Sequence, residues 1–254
     1  MFEKKLLSNT TIGSWITLAH PAIAEIMASA GFDWLAIDME HSVITIREAE
    51  ELIRVIELSG VVPLVRLTSN NSDLIKRVMD AGAHGIIVPM VNSKMEAEQA
   101  IHSTKYPPLG FRGVGLARAQ GYGTGFETYR DWQSNYATVI VQIEHIEAVR
   151  NLREIFSVPG VDGFIIGPYD LTSSMGIPGE FNHPEYLEVM DDIRKIAKEM
   201  NVPGGVHIIE PDVEQLKKCL DDGYEFIAYS LDIRMLDSAC RYAFKGLEKF
   251  RSEQ

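Results

Sequence analysis

Three features of the 254-residue sequence predict an α/β fold, a single (β/α)8 TIM barrel. First, one frame recurs four times: Gly31-Phe-Asp-Trp-Leu-Ala-Ile37, Gly82-Ala-His-Gly-Ile-Ile-Val88, Gly160-Val-Asp-Gly-Phe-Ile-Ile166 and Gly223-Tyr-Glu-Phe-Ile-Ala-Tyr229. Each sets a glycine, a polar residue two places on, and an apolar run with no alternation. Such runs read as strands covered on both faces, the mark of a parallel sheet under helices. Second, helix-period segments separate the runs. Third, the length suits one barrel, with no linker or low-complexity break that would divide it.

In chain order the strands are predicted at Thr11–Thr17, Trp34–Asp38, Val61–Leu67, Gly85–Pro89, Thr138–Glu144, Gly163–Gly167, Gly204–Ile208 and Phe226–Asp232. Between them lie amphipathic stripes: Ala49, Leu52, Ile53 and Ile56; Leu74, Ile75 and Val78; Val213, Leu216 and Leu220. A last stripe joins Leu236, Ala239, Cys240, Ala243, Phe244 and Leu247. The frame glycines 31, 82 and 223 each end such a segment and fit a left-handed C-cap; Gly160 follows Val158-Pro159 in the same role. The exception is Thr104–Tyr136, a long glycine-rich loop read as a lid or contact surface. Its Arg112 and Arg118 can meet either a substrate carboxylate or a neighbouring subunit.

Composition removes several classes of function. A net charge of −12 argues against non-specific nucleic-acid or anionic-membrane binding, though not against an anionic small molecule met by local arginines. Two cysteines, Cys219 and Cys240, give no disulfide framework, and both read as buried helix residues. Met1-Phe-Glu-Lys-Lys5 has no apolar segment behind it, and no run is long enough to span a bilayer, so a cytoplasmic location is expected.

In such a barrel the site gathers at the C-terminal ends of the strands. Strand 2 runs out to Asp38-Met-Glu-His41, strand 3 ends at Arg66, strand 5 offers Gln142 and Glu144, and strand 6 continues to Asp170. Residues two apart share a face, so Gln142 and Glu144 point together. Glu144 and Asp170 at neighbouring tips would offer two hard oxygens to a divalent ion. Equally, Glu144 can cap the following helix and Asp170 can open a turn; spacing alone leaves both readings standing. No lysine falls on a strand or its tip, which speaks against a Schiff-base mechanism, and no serine or cysteine sits at an elbow motif. Metal-assisted chemistry with a histidine base remains.

Six motifs in order carry a family resemblance: Asp38-x-Glu-His41, Val65-Arg66-Leu67, Val88-Pro-Met-Val91, Tyr106-Pro-Pro-x-Gly-x-Arg-Gly113, Val141-Gln-Ile-Glu144 and Gly167-Pro-x-Asp-Leu171. Together they resemble the HpcH/HpaI family of metal-dependent pyruvate aldolases, over nearly the whole chain. The resemblance implies a pyruvate-binding barrel that cleaves 4-hydroxy-2-oxo acids to pyruvate and an aldehyde, with no organic cofactor. Glu144 and Asp170 match the ligands of a divalent metal (Mg2+, Mn2+ or Co2+). His41 matches the base held by Asp38, Arg66 the residue that stabilises the transition state, and Gln142 and Tyr169 substrate contacts, with Asp170 also beside the substrate. Tyr169 is bulkier than the small residue common at its position. Asp80 matches an aspartate that raises the basicity of the histidine. Since it falls at the wrong end of its own barrel, it implies a contribution from another subunit, and the family's hexamers (trimers of dimers) accord with that.

The charge logic is simple: cleavage between C3 and C4 leaves a pyruvate enolate, and a cation with Arg66 beside it stabilises that charge. His41, directly or through a water, takes the C4 hydroxyl proton. Rival readings are a lyase of CoA thioesters, such as malyl- or citryl-CoA, and a barrel that binds without catalysis. His84, His102, His145 and His183 read as structural, Trp34 as core, and Trp15 as core or pocket floor; His20 and His207 lie near strand tips, where they can line the pocket.

Overall fold

The computed structural model describes residues 6–245. Eight parallel strands close in sequence order: β1 (Thr11–Ile16), β2 (Trp34–Asp38), β3 (Val62–Arg66), β4 (Gly85–Val88), β5 (Thr138–Ile143), β6 (Gly163–Ile166), β7 (Gly204–Ile208) and β8 (Phe226–Leu231). The predicted (β/α)8 barrel is the fold. The predicted strands run one residue long at several ends. Glu144, Gly167 and Asp232 stand just past the last paired residue, where the chain leaves the sheet.

The outer layer begins with α1 (Pro21–Ser29), α2 (Ile46–Leu58), α3 (Ser72–Ala81) and α4 (Lys94–Thr104). Next come α5 (Phe126–Asn135), the short α6 (Ile146–Arg150), α7 (Leu152–Phe156) and α8 (Pro168–Ser174), then α9 (Pro184–Met200), α10 (Val213–Asp221) and α11 (Asp232–Tyr242). Local chemistry starts and stops them. Thr45 and Glu48 form a reciprocal capping box at α2, while Asn71 and Ser93 cap α3 and α4. Gly31, Gly82, Gly160 and Gly223 have φ of 99°, 104°, 101° and 84°, the left-handed turns that the repeated frame predicts. The α2 stripe is wholly buried, as are Ile75 and Val78 of α3.

Parity along the strands turns Trp34, Leu64, Ile87, Ile140, Ile165 and Phe226 inward, where they fill the barrel with Trp15, Ala36 and Ala228. Trp34 is the plug. Its indole stacks on Phe226 with centroids 4.2 Å apart and stands edge-on to Trp15 at 6.3 Å. Gly13, paired in register with Trp34, leaves room for the ring: a Cβ there would lie 2.0 Å from Cδ2.

Two expectations change, the long loop and the burial of Cys240, and two of the predicted helices leave much of their apolar stripe open. The Thr104–Tyr136 segment is no structureless lid, because it holds a 3-10 turn (Arg118–Gly123) and the whole of α5, whose Tyr129 and Trp132 are buried. Val213 and Leu220 of α10 are exposed. The α11 stripe is also open, with Leu236 53% exposed, Ala239 and Cys240 exposed, Ala243 and Phe244 past its end, and Leu247 outside the described residues. α11 is held instead through Asp232, which accepts from the backbone N–H of Thr17 and Leu18 and from the Thr17 hydroxyl. Cys219 alone of the two cysteines is buried. Met1–Lys5, where a leader was discounted, is likewise outside the described residues.

The plug is directly testable. Gly13→Ala is expected to cost about 1–3 kcal/mol through overpacking against Trp34, read as a lower urea midpoint. A midpoint unchanged within error would show that the barrel interior has slack there.

Candidate active site

Above the aromatic plug the inward layer turns polar. Asp38 and Arg66 are register partners on β2 and β3, and their parity aims both at the barrel mouth. Arg66 donates to Asp38 through Nε (2.9 Å) and Nη2 (2.7 Å), a bidentate pair shut away from solvent. Its Nη1 lies 3.4 Å from the Glu40 carboxylate, and its guanidinium stacks 4.4 Å above the Trp15 ring. Asp38 Oδ1 also accepts from the backbone N–H of Glu40 (3.0 Å) and His41 (3.2 Å), fixing the turn that carries them. The sequence reading has Asp38 holding His41; it holds the His41 backbone, while its carboxylate is paired with Arg66. The His41 side chain is 63% exposed at the mouth, its Nε2 3.8 Å from Glu40 Oε2.

Glu144 is buried across the mouth. Its Oε1 accepts from the Met90 backbone N–H at 2.7 Å, and its Oε2 accepts from the Gln142 amide. Met90 has φ of 52°, a left-handed turn after β4 that a bulky side chain occupies only when its surroundings hold it there. The capping alternative for Glu144 falls away: α6 is capped by His145, whose Nδ1 accepts from the Glu147 N–H. Gly167 brings the next strand's exit close, since a Cβ there would sit 2.8 Å from Glu144 Oε2. Three residues on, Asp170 lies in the first turn of α8, exposed, with no hydrogen-bond or salt-bridge partner among the described residues. Tyr169 beside it is exposed and stands edge-on to Phe181 at 4.9 Å.

The mouth carries more negative charge than Arg66 balances. Burial raises the Glu40 pKa to about 7; Arg66 opposes this, while Glu144, Asp38 and Asp170 add to it. Burial also raises Glu144, against the hydrogen bonds from Gln142 and Met90, and Asp170 raises it further. The acceptors Glu40 Oε2 and Gln142 Oε1 are shut from solvent without a hydrogen-bond donor. Among the described residues no three His, Cys, Asp or Glu side chains form a metal-holding group. Glu144 and Asp170 are nonetheless hard oxygen donors of the kind a divalent cation takes, and a cation there would leave its other positions to non-protein oxygens.

Of the residues singled out in the sequence, Asp38, His41, Arg66, Gln142, Glu144, Tyr169 and Asp170 leave β2, β3, β5 and β6 at one end of the barrel. Asp80 does not. It sits in the last turn of α3, which runs back from the mouth to the opposite end; burial raises its pKa, which Arg112 then lowers. Arg112 and Arg118 lie at that end too. Arg112 is buried, stacked on Tyr106 and bonded to the Tyr129 hydroxyl at 2.8 Å. Arg118 reaches the Ala81 carbonyl (3.1 Å) and Glu57 (2.5 Å). Burial alone would push Glu57 up, yet hydrogen bonds from His84 and Arg118 hold it at about 2. His20 caps α1 through Nδ1.

Three positions have no part in the sequence reading, Glu40, Met90 and Lys105, while His207, expected near the pocket, is there. Glu40 was passed over between two better-known neighbours. Met90 acts through its backbone, which no side-chain pattern reveals. His207 stands edge-on to Trp15 (5.6 Å), close enough to Arg66 to feel its charge. Lys105 is a buried lysine, but at the far end of the barrel its Nζ donates to the carbonyls of Gln133 (2.6 Å) and Ala137 (2.8 Å), so it supplies no Schiff-base amine at the mouth.

Comparison with known proteins decides the family. Residues 11–239 match the model of the HpcH/HpaI aldolase/citrate lyase family. The chain belongs to that family. It is 38% identical to a hydroxypyruvate/pyruvate aldolase of Sagittula stellata, covering 90% of this chain and 89% of that one. It is 36% identical to a 2-dehydro-3,6-dideoxy-6-sulfogluconate aldolase of Pseudomonas putida, with 89% and 88% covered. A crystal structure of a family member from Burkholderia cenocepacia superposes with a TM-score of 0.89 at 31% identity, covering 95% and 96% of the two chains. The HpcH/HpaI barrel is thus an enzyme of the carbon–carbon lyase class, an aldolase.

The Glu40 environment has a pH consequence. Its folded pKa of about 7 lies above the ordinary 4.5, so its contribution to stability is complete below pH 4.5 and is lost as pH rises through about 7. Glu40→Gln is expected to abolish that decline in metal-free protein, measured as urea midpoints across this range. Parallel curves for the two proteins would contradict the raised pKa.

Proposed function

We propose that this chain is a divalent-metal-dependent pyruvate aldolase that reversibly cleaves 4-hydroxy-2-oxo acids, such as 2-keto-3-deoxy sugar acids or 4-hydroxy-2-oxo-dioic acids, to pyruvate and an aldehyde. The observation that carries the reading is the convergence of Glu144, Asp170, Arg66 and His41 on one barrel mouth. Glu144 and Asp170 would hold the ion, Mg2+, Mn2+ or Co2+, which supplies Lewis-acid polarisation of the 2-oxo group.

The chain's own residues do the rest. Arg66, fixed on three sides by Asp38, Glu40 and Trp15, presents positive charge where the enolate oxygen develops, and needs no reorganisation to do so. Gln142 fixes Glu144 and offers its free carbonyl oxygen to the substrate. His41, exposed beside Glu40, accepts the C4 hydroxyl proton and returns it in the synthetic direction. Tyr169 and Phe181 form a wall beside Asp170 that limits what the aldehyde carries beyond C4.

Asp80 cannot reach His41 within one chain, so its role as a partner of the histidine requires a homo-oligomer, a hexamer built as a trimer of dimers. The exposed apolar residues of α11 (Ile233, Leu236 and Tyr242) support association. We place the protein in the cytoplasm, with the whole chain, 1–254, as one barrel domain; no helix among the described residues is long and apolar enough to cross a membrane.

Incubation with Mn2+ and a panel of 4-hydroxy-2-oxo acids is expected to release pyruvate, and EDTA to stop it. Arg66→Ala should lower kcat about 10²- to 10³-fold. Absence of EDTA-sensitive pyruvate release from every acid in the panel would refute the proposal.

A further inference from the structure

The cleavage chemistry moves two protons, and His41 accounts for one of them. The C4 hydroxyl loses a proton as the C3–C4 bond breaks. C3 of the enolate must then gain one to become the methyl group of pyruvate, and it needs its own proton source. Arg66 does not serve, because a guanidinium does not give up its proton. Of the carboxylates at the mouth among the described residues, Glu144 and Asp170 belong to the ion in this reading. Asp38 is locked in its bidentate pair with Arg66. Glu40 is left.

Its placement suits the task. Glu40 Oε2 lies 3.4 Å from Arg66 Nη1 and 3.8 Å from His41 Nε2, so the carboxylate stands between the two. The same order runs along the substrate: the 2-oxo oxygen that Arg66 meets, then C3, then the C4 hydroxyl that His41 meets. The Glu40 backbone N–H is tied to Asp38 Oδ1 at 3.0 Å, which fixes the turn that presents the side chain. That side chain keeps 15% of its surface at the mouth, and its Oε2 accepts from no donor. Burial is the largest influence on the carboxyl and raises it to about 7; Arg66 opposes this, while Glu144, Asp38 and Asp170 add to it. A carboxyl in that range takes a proton from an imidazole and gives it up again near neutral pH.

Resting on the aldolase reading above, we infer that Glu40 is a further catalytic residue, the proton carrier that takes a proton from His41 and delivers it to C3 of the enolate. The transfers balance. As the C3–C4 bond breaks, its electron pair passes into the enolate and the C4 hydroxyl proton moves to Nδ1 of His41. The proton on Nε2 passes to Glu40 Oε2 as the exposed ring swings across the gap between them. The carboxylic acid so formed protonates C3, the enolate oxygen returns to a carbonyl, and Glu40 ends as the carboxylate it began as. Exchange with water at the exposed ring restores the starting tautomer of His41. In the synthetic direction the same carboxylate removes a methyl proton from pyruvate.

Pyruvate in D2O, followed by proton NMR with the full-length enzyme and Mg2+, tests this without any aldehyde. The unsubstituted enzyme is expected to replace the methyl protons with deuterium. Glu40→Gln should slow that exchange by about 10²- to 10⁴-fold, and Glu40→Asp, which keeps an acid, should recover part of it. His41→Ala should lose cleavage and yet exchange faster than Glu40→Gln, a crossing that general damage to the site does not produce. Thermal melting checks that all three variants fold. Exchange by Glu40→Gln at the unsubstituted rate, or slower exchange in His41→Ala than in Glu40→Gln, would overturn the inference. So would an enzyme that releases pyruvate from 4-hydroxy-2-oxo acids and exchanges no methyl proton, with the aldolase reading intact. Neither cleavage nor exchange in the unsubstituted enzyme would overturn both.

Discussion

The bidentate pair between Arg66 and Asp38 is the contact around which the barrel mouth is arranged. Strand register sets the two side by side, and parity points both inward above the apolar plug. A buried charge without a partner would be strongly destabilising, so each residue secures the other. Asp38 Oδ1, which already accepts from Arg66 Nε, also accepts from the backbone N–H of Glu40 and His41 and so sets the turn that carries His41. Arg66 has an edge left for Glu40 and a face for Trp15. One ion pair thus orients the guanidinium and places the imidazole at the rim.

Across the mouth the constraint is the opposite one, an excess of carboxylate. Glu144 is anchored by a strained backbone N–H at Met90 and by Gln142, and Gly167 lets the following strand come close. Asp170 remains unpartnered nearby. The carboxylates of Glu144 and Asp170 thus face, across the pocket, a guanidinium paired with Asp38 and close to Glu40. In the proposed reaction a 2-oxo acid bridging them would meet a cation at its chelating oxygens and the guanidinium where the enolate charge gathers.

Much of this was legible in the sequence because the barrel repeats. Unbroken apolar runs marked buried parallel strands, and the frame glycines marked the left-handed helix ends before four of them. Once strand tips were known, parity alone joined Gln142 to Glu144 and placed Arg66. What escaped was what local pattern does not encode. Met90 works through its backbone, and the proximity of His207 to Arg66 is a tertiary fact joining β7 to β3. The α11 stripe is helical as its period says, but a period does not say what covers the apolar face. Arg112 was a candidate for substrate only until its long connection proved to contain α5, which folds the guanidinium onto Tyr106 and Tyr129 at the far end. The glycines of that segment advertised a loop, while Tyr129 and Trp132 carried the packing.

The central claim is that two carboxylates hold a divalent ion whose coordination is completed by the 2-oxo acid. Mn2+ electron paramagnetic resonance of the full-length protein, titrated with and without pyruvate, tests it most directly. The account expects Mn2+ binding that pyruvate tightens, and that is lost in both Glu144→Ala and Asp170→Ala while the variants remain folded. Mn2+ binding unchanged by either substitution, or indifferent to pyruvate, would contradict it.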